Sequence, residues 1–264
     1  MPIAISDPDD PRIDAYRAVR ERDLLGRESR FIVEGEVVLR VLVRQARFPV
    51  ESVLLAENRI ESLRDIVDGL PNAVPVYSAN RAVMDAIVGF PIHRGILAVA
   101  KRLALPPATE LLAALPARAL VLGLVGLANH DNVGGIFRNA AAFGVDAVLL
   151  DATSCDPLYR KAIRVSVGGV LMVPFTRSPS ASEMVADLQT AGFDVLSLSP
   201  SGRETLGAVR PAPRTALLLG AEGPGLPAAL LARTRTISIP MKSGFDSLNV
   251  ATTSGIALHH LSQG

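Results

Sequence analysis

The amino-acid sequence predicts an α/β protein of two domains, and three observations predict it. The chain has 264 residues, more than one ordinary domain needs. Short β-rich runs alternate with helical stretches in two successive series. Between the series lies a Pro-, Ala- and Leu-rich stretch, 103–116, whose Pro106, Pro107 and Pro116 interrupt any long helix. The expected division is residues 1–102 as a first domain, 103–116 as a linker and 117–264 as a second domain.

The first series runs through "FIVEG" from Phe31, "EVVLRVLVRQAR", "VESVLLA", "ESLRDIVDGL", "AVPVYS", "ANRAVMDAIVG" and "GILAVAKR". It reads as a compact α/β unit ending near Arg102. The second begins at "ALVLGLVG" and continues through "NVGGIFRNAAAFG", "VDAVLLD", "LYRKAIRVSVG", "VLMVPF", "SEMVADLQTAG", "FDVLSLS", "TALLLG", "LPAALLARTR" and "TISIP" to a closing helix, "NVATTSGIALHHL". Apolar strands alternating with amphipathic helices imply a largely parallel sheet covered on both faces.

Composition narrows the function. No apolar run reaches the roughly 18 residues that cross a bilayer, and the start lacks the pattern of a secretory signal, so a cytoplasmic protein without a membrane partner is expected. One cysteine, Cys155, rules out an intramolecular disulfide and multi-cysteine metal patterns. A net charge of +1 gives no overall basic field, so any nucleic-acid contact must be local. With no tryptophan and 4% aromatics, single-strand binding on stacking platforms is disfavoured, whereas phosphate and shape contacts remain open.

Three strands of the second series end in segments dense with Gly, Asn and small polar residues: "GLANHDNVGG", "GAEGPGL" and "MKSGFDSLN". The carboxyl ends of parallel strands share one edge, where such sheets bind ligands, so the three loops should converge there. In the first, Asp131 or Asn132 is expected to cap the next helix. Gly134 and Gly135 then fall in its first turn, where missing side chains admit a ligand or another backbone. Arg138 follows near the same edge. Walker, dinucleotide and nucleophile-elbow patterns are absent. His130 and Asp131 lack further metal ligands, adjacent His259 and His260 diverge on one helix, and no metal is expected. Ser254 reads as a helix-packing residue and Cys155 as structural.

Taken in order, the loops resemble the three motifs of the SpoU family of SPOUT RNA 2'-O-ribose methyltransferases. The first is carried by Asn132, Gly134 and Arg138; the second by Gly220, Glu222, Gly223 and Gly225; the third by Ile239, Pro240, Met241, Ser247, Leu248 and Asn249. "RFIVEGEVVLRVLV" and "HRGILAVA" are similar to the substrate-binding domain often fused to these enzymes. The resemblance implies a C-terminal trefoil-knotted domain after a smaller RNA-binding domain, S-adenosylmethionine as cofactor, and a homodimer acting on ribosomal or transfer RNA. It also implies a cofactor slot at Leu219, Gly220, Ile239, Met241 and Leu248. Arg138 would be the catalytic residue, with Asn132, Glu222, Ser247 and Asn249 orienting it and the ribose. For RNA docking the residues themselves offer Arg160, Lys161 and Arg164, a basic run with no acid between Leu158 and Gly168; Arg30 and Arg94 are further candidates among interspersed acids. A fold that kept RNA binding but lost catalysis, and a methyltransferase for another RNA atom, remain open at this point.

Overall fold

The computed structural model describes residues 2–17, 28–89, 94–242 and 248–263. By its contacts the chain divides into two units, Met1–Leu103 with Leu158–Met172, and Ala104–Pro157 with Val173–Gly264.

The first unit is built on strands β1 (Ile3–Ala4), β2 (Arg30–Glu34), β3 (Val50–Ala56), β4 (Val76–Ala79) and β5 (Ile96–Lys101), in the order β1-β4-β3-β5-β2. Neighbours β1, β4 and β3 are parallel, while β5 runs against both β3 and β2. Helices α1 (Glu36–Gln45) and α3 (Arg81–Val88) turn Leu39, Leu42, Val83 and Ile87 inward, and α2 (Arg64–Gly69) lies between β3 and β4 in sequence. Tyr16 is fully buried with its hydroxyl 2.8 Å from Ser52 Oγ, so its large ring does not leave a stranded polar group.

The stretch expected to be a linker is structured. Residues Ala108–Ala113 form a helix, α4, with Pro107 at its N-cap. Ala108 and Leu112 are buried in the core of the second unit beside Val121, Leu149 and Leu188. Arg214 donates to the carbonyls of Leu112 at 3.0 Å and Pro116 at 2.8 Å while its guanidinium stacks 4.3 Å above the Phe193 ring centre. The prolines bracket this helix instead of breaking it, because a residue ahead of the first turn has no intrahelical N–H bond to lose.

The second unit carries β6 (Ala119–Val125), β7 (Ala147–Leu150), β8 (Phe175–Arg177), β9 (Asp194–Leu198), β10 (Glu204–Thr205), β11 (Arg214–Gly220) and β12 (Arg235–Ser238), in the order β10-β12-β9-β11-β6-β7-β8. Every neighbouring pair among them is parallel. That explains why the central strands read as unbroken apolar runs: helices cover both faces. Register sets their carboxyl ends level, with Gly220 beside Val125, Leu124 beside Leu150, and Ile237 beside Leu198. The loops after β6, β11 and β12 therefore leave one edge of the sheet, as the sequence predicts.

Candidate active site

The loop after β6 leads into helix α5 (His130–Ala142). Asn129 caps it, accepting from the Asp131 N–H at 2.8 Å. The expected caps Asp131 and Asn132 thus sit inside the helix, and Gly134 and Gly135 fall in its second turn. This shift frees the Asn132 side chain for another task. Gly135 serves a backbone approach: a Cβ there would lie 2.7 Å from Ala251 Cβ on helix α10 (Val250–Leu261). The contact is locked by Asn139, which donates to Ala251 O at 2.7 Å and Ser254 Oγ at 2.9 Å. Ser254 is a packing residue, as read, whereas Asn139 escaped notice because nothing in its local pattern marks it.

The three loops are joined by side chains. Buried Asn132 donates to Glu222 Oε1 at 2.9 Å, and Asn249 donates to Asn132 Oδ1 at 2.8 Å and to Glu222 Oε1 at 3.2 Å. The Asn249 Oδ1 meanwhile accepts from the N–H groups of Ala251 and Thr252, at 2.9 and 3.2 Å, and so caps α10. One amide holds a helix end with its oxygen and the loop network with its nitrogen. Asn249→Ser should keep the cap, and Asn249→Ala should lose it together with about 1 kcal/mol of stability. Both lose the donated bonds, so equal losses of activity with unequal urea midpoints are expected. A serine variant of full activity would detach the network from function.

Beside this network lies a slot of about 420 Å³ whose walls include Leu219, Gly220, Ile239, Met241 and Leu248, with Glu222 and Asn249 at its polar side. Its size falls within the usual range of small-molecule sites, roughly 300–1,000 Å³. All five residues expected to hold a cofactor line it. Apolar walls with the polar side chains of Ser199, Glu222, Asn249 and Thr253 and the exposed backbone of the 220–225 loop fit an adenosine-bearing ligand with a charged tail.

The first loop is braced from behind by Asp151, which the sequence reading passed over as a strand end. Its carboxylate is 5% exposed and accepts from Gly126 N–H at 3.1 Å, Thr153 Oγ1 at 2.6 Å, and Ser154 N–H and Oγ at 2.9 and 2.7 Å. Ser154 Oγ in turn accepts from Leu127 N–H at 3.1 Å. Burial opposes ionisation of Asp151, but the hydrogen bonds from Ser154, Thr153 and Gly126 outweigh it and hold the pKa below the ordinary carboxylate value. A depressed folded-state pKa adds stability above the unfolded value of about 3.9, lost as pH falls through the lower folded value. Asp151→Ala should cost on the order of 3 kcal/mol at neutral pH, since several buried donors lose a charged acceptor. The penalty should shrink in acid unfolding titrations below about pH 4; a penalty independent of pH would remove the charge from the explanation.

Other expected site residues lie elsewhere. Arg138 is exposed, about 9 Å along the α5 axis from Asn132, and is not among the slot's lining residues. Among the described residues it has no hydrogen-bond or ion-pair partner. Ser247 falls outside the described residues. Arg160 and Arg164, on helix α6 (Arg160–Val165) of the first unit, approach the buried Glu34 carboxylate at 3.5 and 3.9 Å. The acid missing from their own stretch is thus supplied by β2, and two of the three cations expected to meet RNA neutralise Glu34; Lys161 is exposed. Burial, with the nearby Asp156 charge, pushes the Cys155 thiol up to about 11. His259 packs edge-on to Phe143, and His260 Nε2 lies 3.0 Å from Val209 O.

Comparison with known proteins places this architecture. Residues 119–259 match the model of the SpoU rRNA methylase family. A tRNA/rRNA methyltransferase of Mycobacterium tuberculosis, itself uncharacterized, is 38% identical over 98% of this chain and 94% of its own length. The 23S rRNA (guanosine-2'-O-)-methyltransferase RlmB of Salmonella typhi is 30% identical over 79% of this chain and 87% of its own. In fold, an AdoMet-bound rRNA methyltransferase from Sinorhizobium meliloti superposes with a TM-score of 0.82 at 20% identity, covering 99% of this chain and 97% of that one. The family match spans every strand and loop that builds the slot, and the mycobacterial relative extends the likeness to the first unit: this chain is a member of the SpoU rRNA methylase family.

Proposed function

We propose that the chain transfers a methyl group from S-adenosylmethionine to a ribose 2'-hydroxyl of structured RNA, with large-subunit ribosomal RNA favoured over transfer RNA. The observation that carries this reading is the hydrogen-bonded set Asn132, Glu222 and Asn249, which stitches three loops together beside the apolar slot. The likeness to a relative named as a 23S rRNA guanosine-2'-O-methyltransferase supports the choice of ribose and of RNA class.

When bound, S-adenosylmethionine supplies an electrophilic methyl on a sulfonium. Walls formed by Leu219, Ile239, Met241 and Leu248 exclude water and favour loss of positive charge, since an apolar surround raises the cost of a charged group. The backbone after Gly220 offers polar groups for the cofactor, and Glu222 with Asn249 fixes the polar side of the slot. Ser247 is assigned to orienting the ribose. Arg138 offers five N–H donors in a fixed fork and no acceptor, so its role is that of a clamp. Its planar fork would hold a phosphate and the 2'-oxygen together, lower the hydroxyl pKa, and leave phosphate or water to accept the proton. Its exposed position, away from its own chain's slot, fits action at the slot of a second copy in a homodimer. Light scattering should then give a mass near twice 27.9 kDa; a monomer would leave Arg138 without this role.

The deciding experiment is nucleotide mapping of 2'-O-methylation in RNA from a deletion strain, paired with methyl transfer by the purified chain to unmodified transcripts. One ribose methyl should vanish in the strain and reappear in the reaction. A methyl on a base, or none, would overturn the proposal.

A further inference from the structure

Within the first unit a cleft of about 290 Å³ opens where β3 and β4 end and β5 begins. Arg59, Arg81 and Arg94 come to it from three separate stretches of chain, with Asn58 and Asn80 between them and Glu57 as the one acid among the described residues of its lining. Most other arginines described in this unit are matched by acids: Arg12 by Asp10, Arg17 by Asp14, Arg30 by Glu51, Arg40 by Asp65 and Arg64 by Glu61. Arg59 and Arg94 have no acid partner among the described residues, and Arg81 lies 4.0 Å from Asp85.

Three guanidinium groups around one cleft repel each other unless an anion joins them. The rest of the lining suits an anion. Asn80 Oδ1 already accepts from Val83 N–H at 3.0 Å as the cap of α3, so its remaining polar group is a donor. The cleft opens at the amino end of that helix, which adds a favourable field. Arginine forks beside a helix amino end are donors that suit phosphate oxygens, so the recognised group is the backbone. The walls are fixed: Ala56 N–H donates to Gly95 O at 2.8 Å, and Gly95 has φ +62 with its absent Cβ only 2.7 Å from Ala56 Cβ.

We infer that this cleft binds a backbone phosphate of the RNA substrate through the forks of Arg59, Arg81 and Arg94. The inference rests on the RNA reading above, and adds a phosphate contact remote in sequence from the methyl-transfer loops. The test is filter binding of the full chain to a 23S ribosomal RNA transcript between about 50 and 200 mM salt, where phosphate contacts dominate the slope. The Arg59→Ala/Arg94→Ala variant should bind at least about 10-fold more weakly at the lower salt, with a salt slope shallower by roughly 1 to 2 units. Its affinity for S-adenosylmethionine should equal that of the wild type, which also certifies the fold of the other unit. Should the double variant fail to fold, the single Arg59→Gln and Arg94→Gln variants should each lower the slope by about 1 unit. Unchanged affinity and slope would overturn the inference, as would a wild-type chain that binds no RNA. A wild type that binds RNA but methylates no ribose sinks the proposed reaction and leaves this site standing. One that methylates ribose while the double variant binds normally sinks this site alone.

Discussion

Exchange of Arg138 for lysine is expected to slow single-turnover methyl transfer by at least about 100-fold, the lower end of what a positioned proton-transfer or oxyanion-stabilising group contributes. Lysine keeps the charge but loses the planar fork of five donors that can grip a phosphate and the 2'-oxygen together. The structure sharpens the controls. Because Arg138 is exposed and unpaired among the described residues, the exchange breaks no internal contact, and the melting temperature should hold. Because it does not line its own slot, cofactor affinity should hold as well. Mixed dimers supply a stricter form of the test: one chain with Arg138→Lys and one with Gly220→Val should recover part of the activity if each arginine serves its partner. Near-normal turnover in the lysine enzyme would remove Arg138 from the chemistry, and no recovery in the mixed dimer would return it to its own chain.

Gly220→Val should weaken S-adenosylmethionine binding by at least about 100-fold, close to the upper end of ordinary overpacking costs. The cause is a clash with backbone. A side chain at 220 would not fill the slot first: its Cβ would come within 2.5 Å of Gly225 C and Leu226 N, backbone that cannot step aside. That backbone belongs to the loop after β11, closed by the Gly225 N–H to Ala221 O bond of 3.0 Å, and the same loop carries Glu222. Prying it open therefore damages the slot wall and the network with Asn132 and Asn249 at once. Even Gly220→Ala should show most of the loss. Calorimetry on folded protein decides it, and wild-type affinity in either variant would take the second loop out of the site.

How much was legible in the sequence follows from which forces are local. The convergence of three loops was readable because strand direction and register in a parallel sheet fix where carboxyl ends lie, and apolar runs announce such strands. Cap identity was not, since Asn129, Asp131 and Asn132 are all competent and only packing against α10 chooses among them. The 103–116 stretch misled because its prolines look like breakers until Leu112 is seen in a core. Glu34 was invisible because Arg160 and Arg164 lie far along the chain, and Asp151 because its neighbours Thr153 and Ser154 give no hint that it also holds the N–H of Gly126 in another loop. Charge balance along a segment does not report charge balance in space.

The first unit also imposes an order on synthesis. Its last segment, Leu158–Met172, follows Leu103 by an excursion through β6, α5 and β7, and its buried Ala162, Ile163, Val170 and Leu171 belong with contacts of that unit. At translation rates of about 5–20 residues per second, the ribosome needs several seconds after Leu103 to deliver that piece. During this interval Glu34 lacks the arginines that later approach it, and the nascent first unit waits incomplete while β6 and β7 emerge. Slow codons between Leu103 and Leu158 would lengthen the interval in which the first unit stands without its last segment.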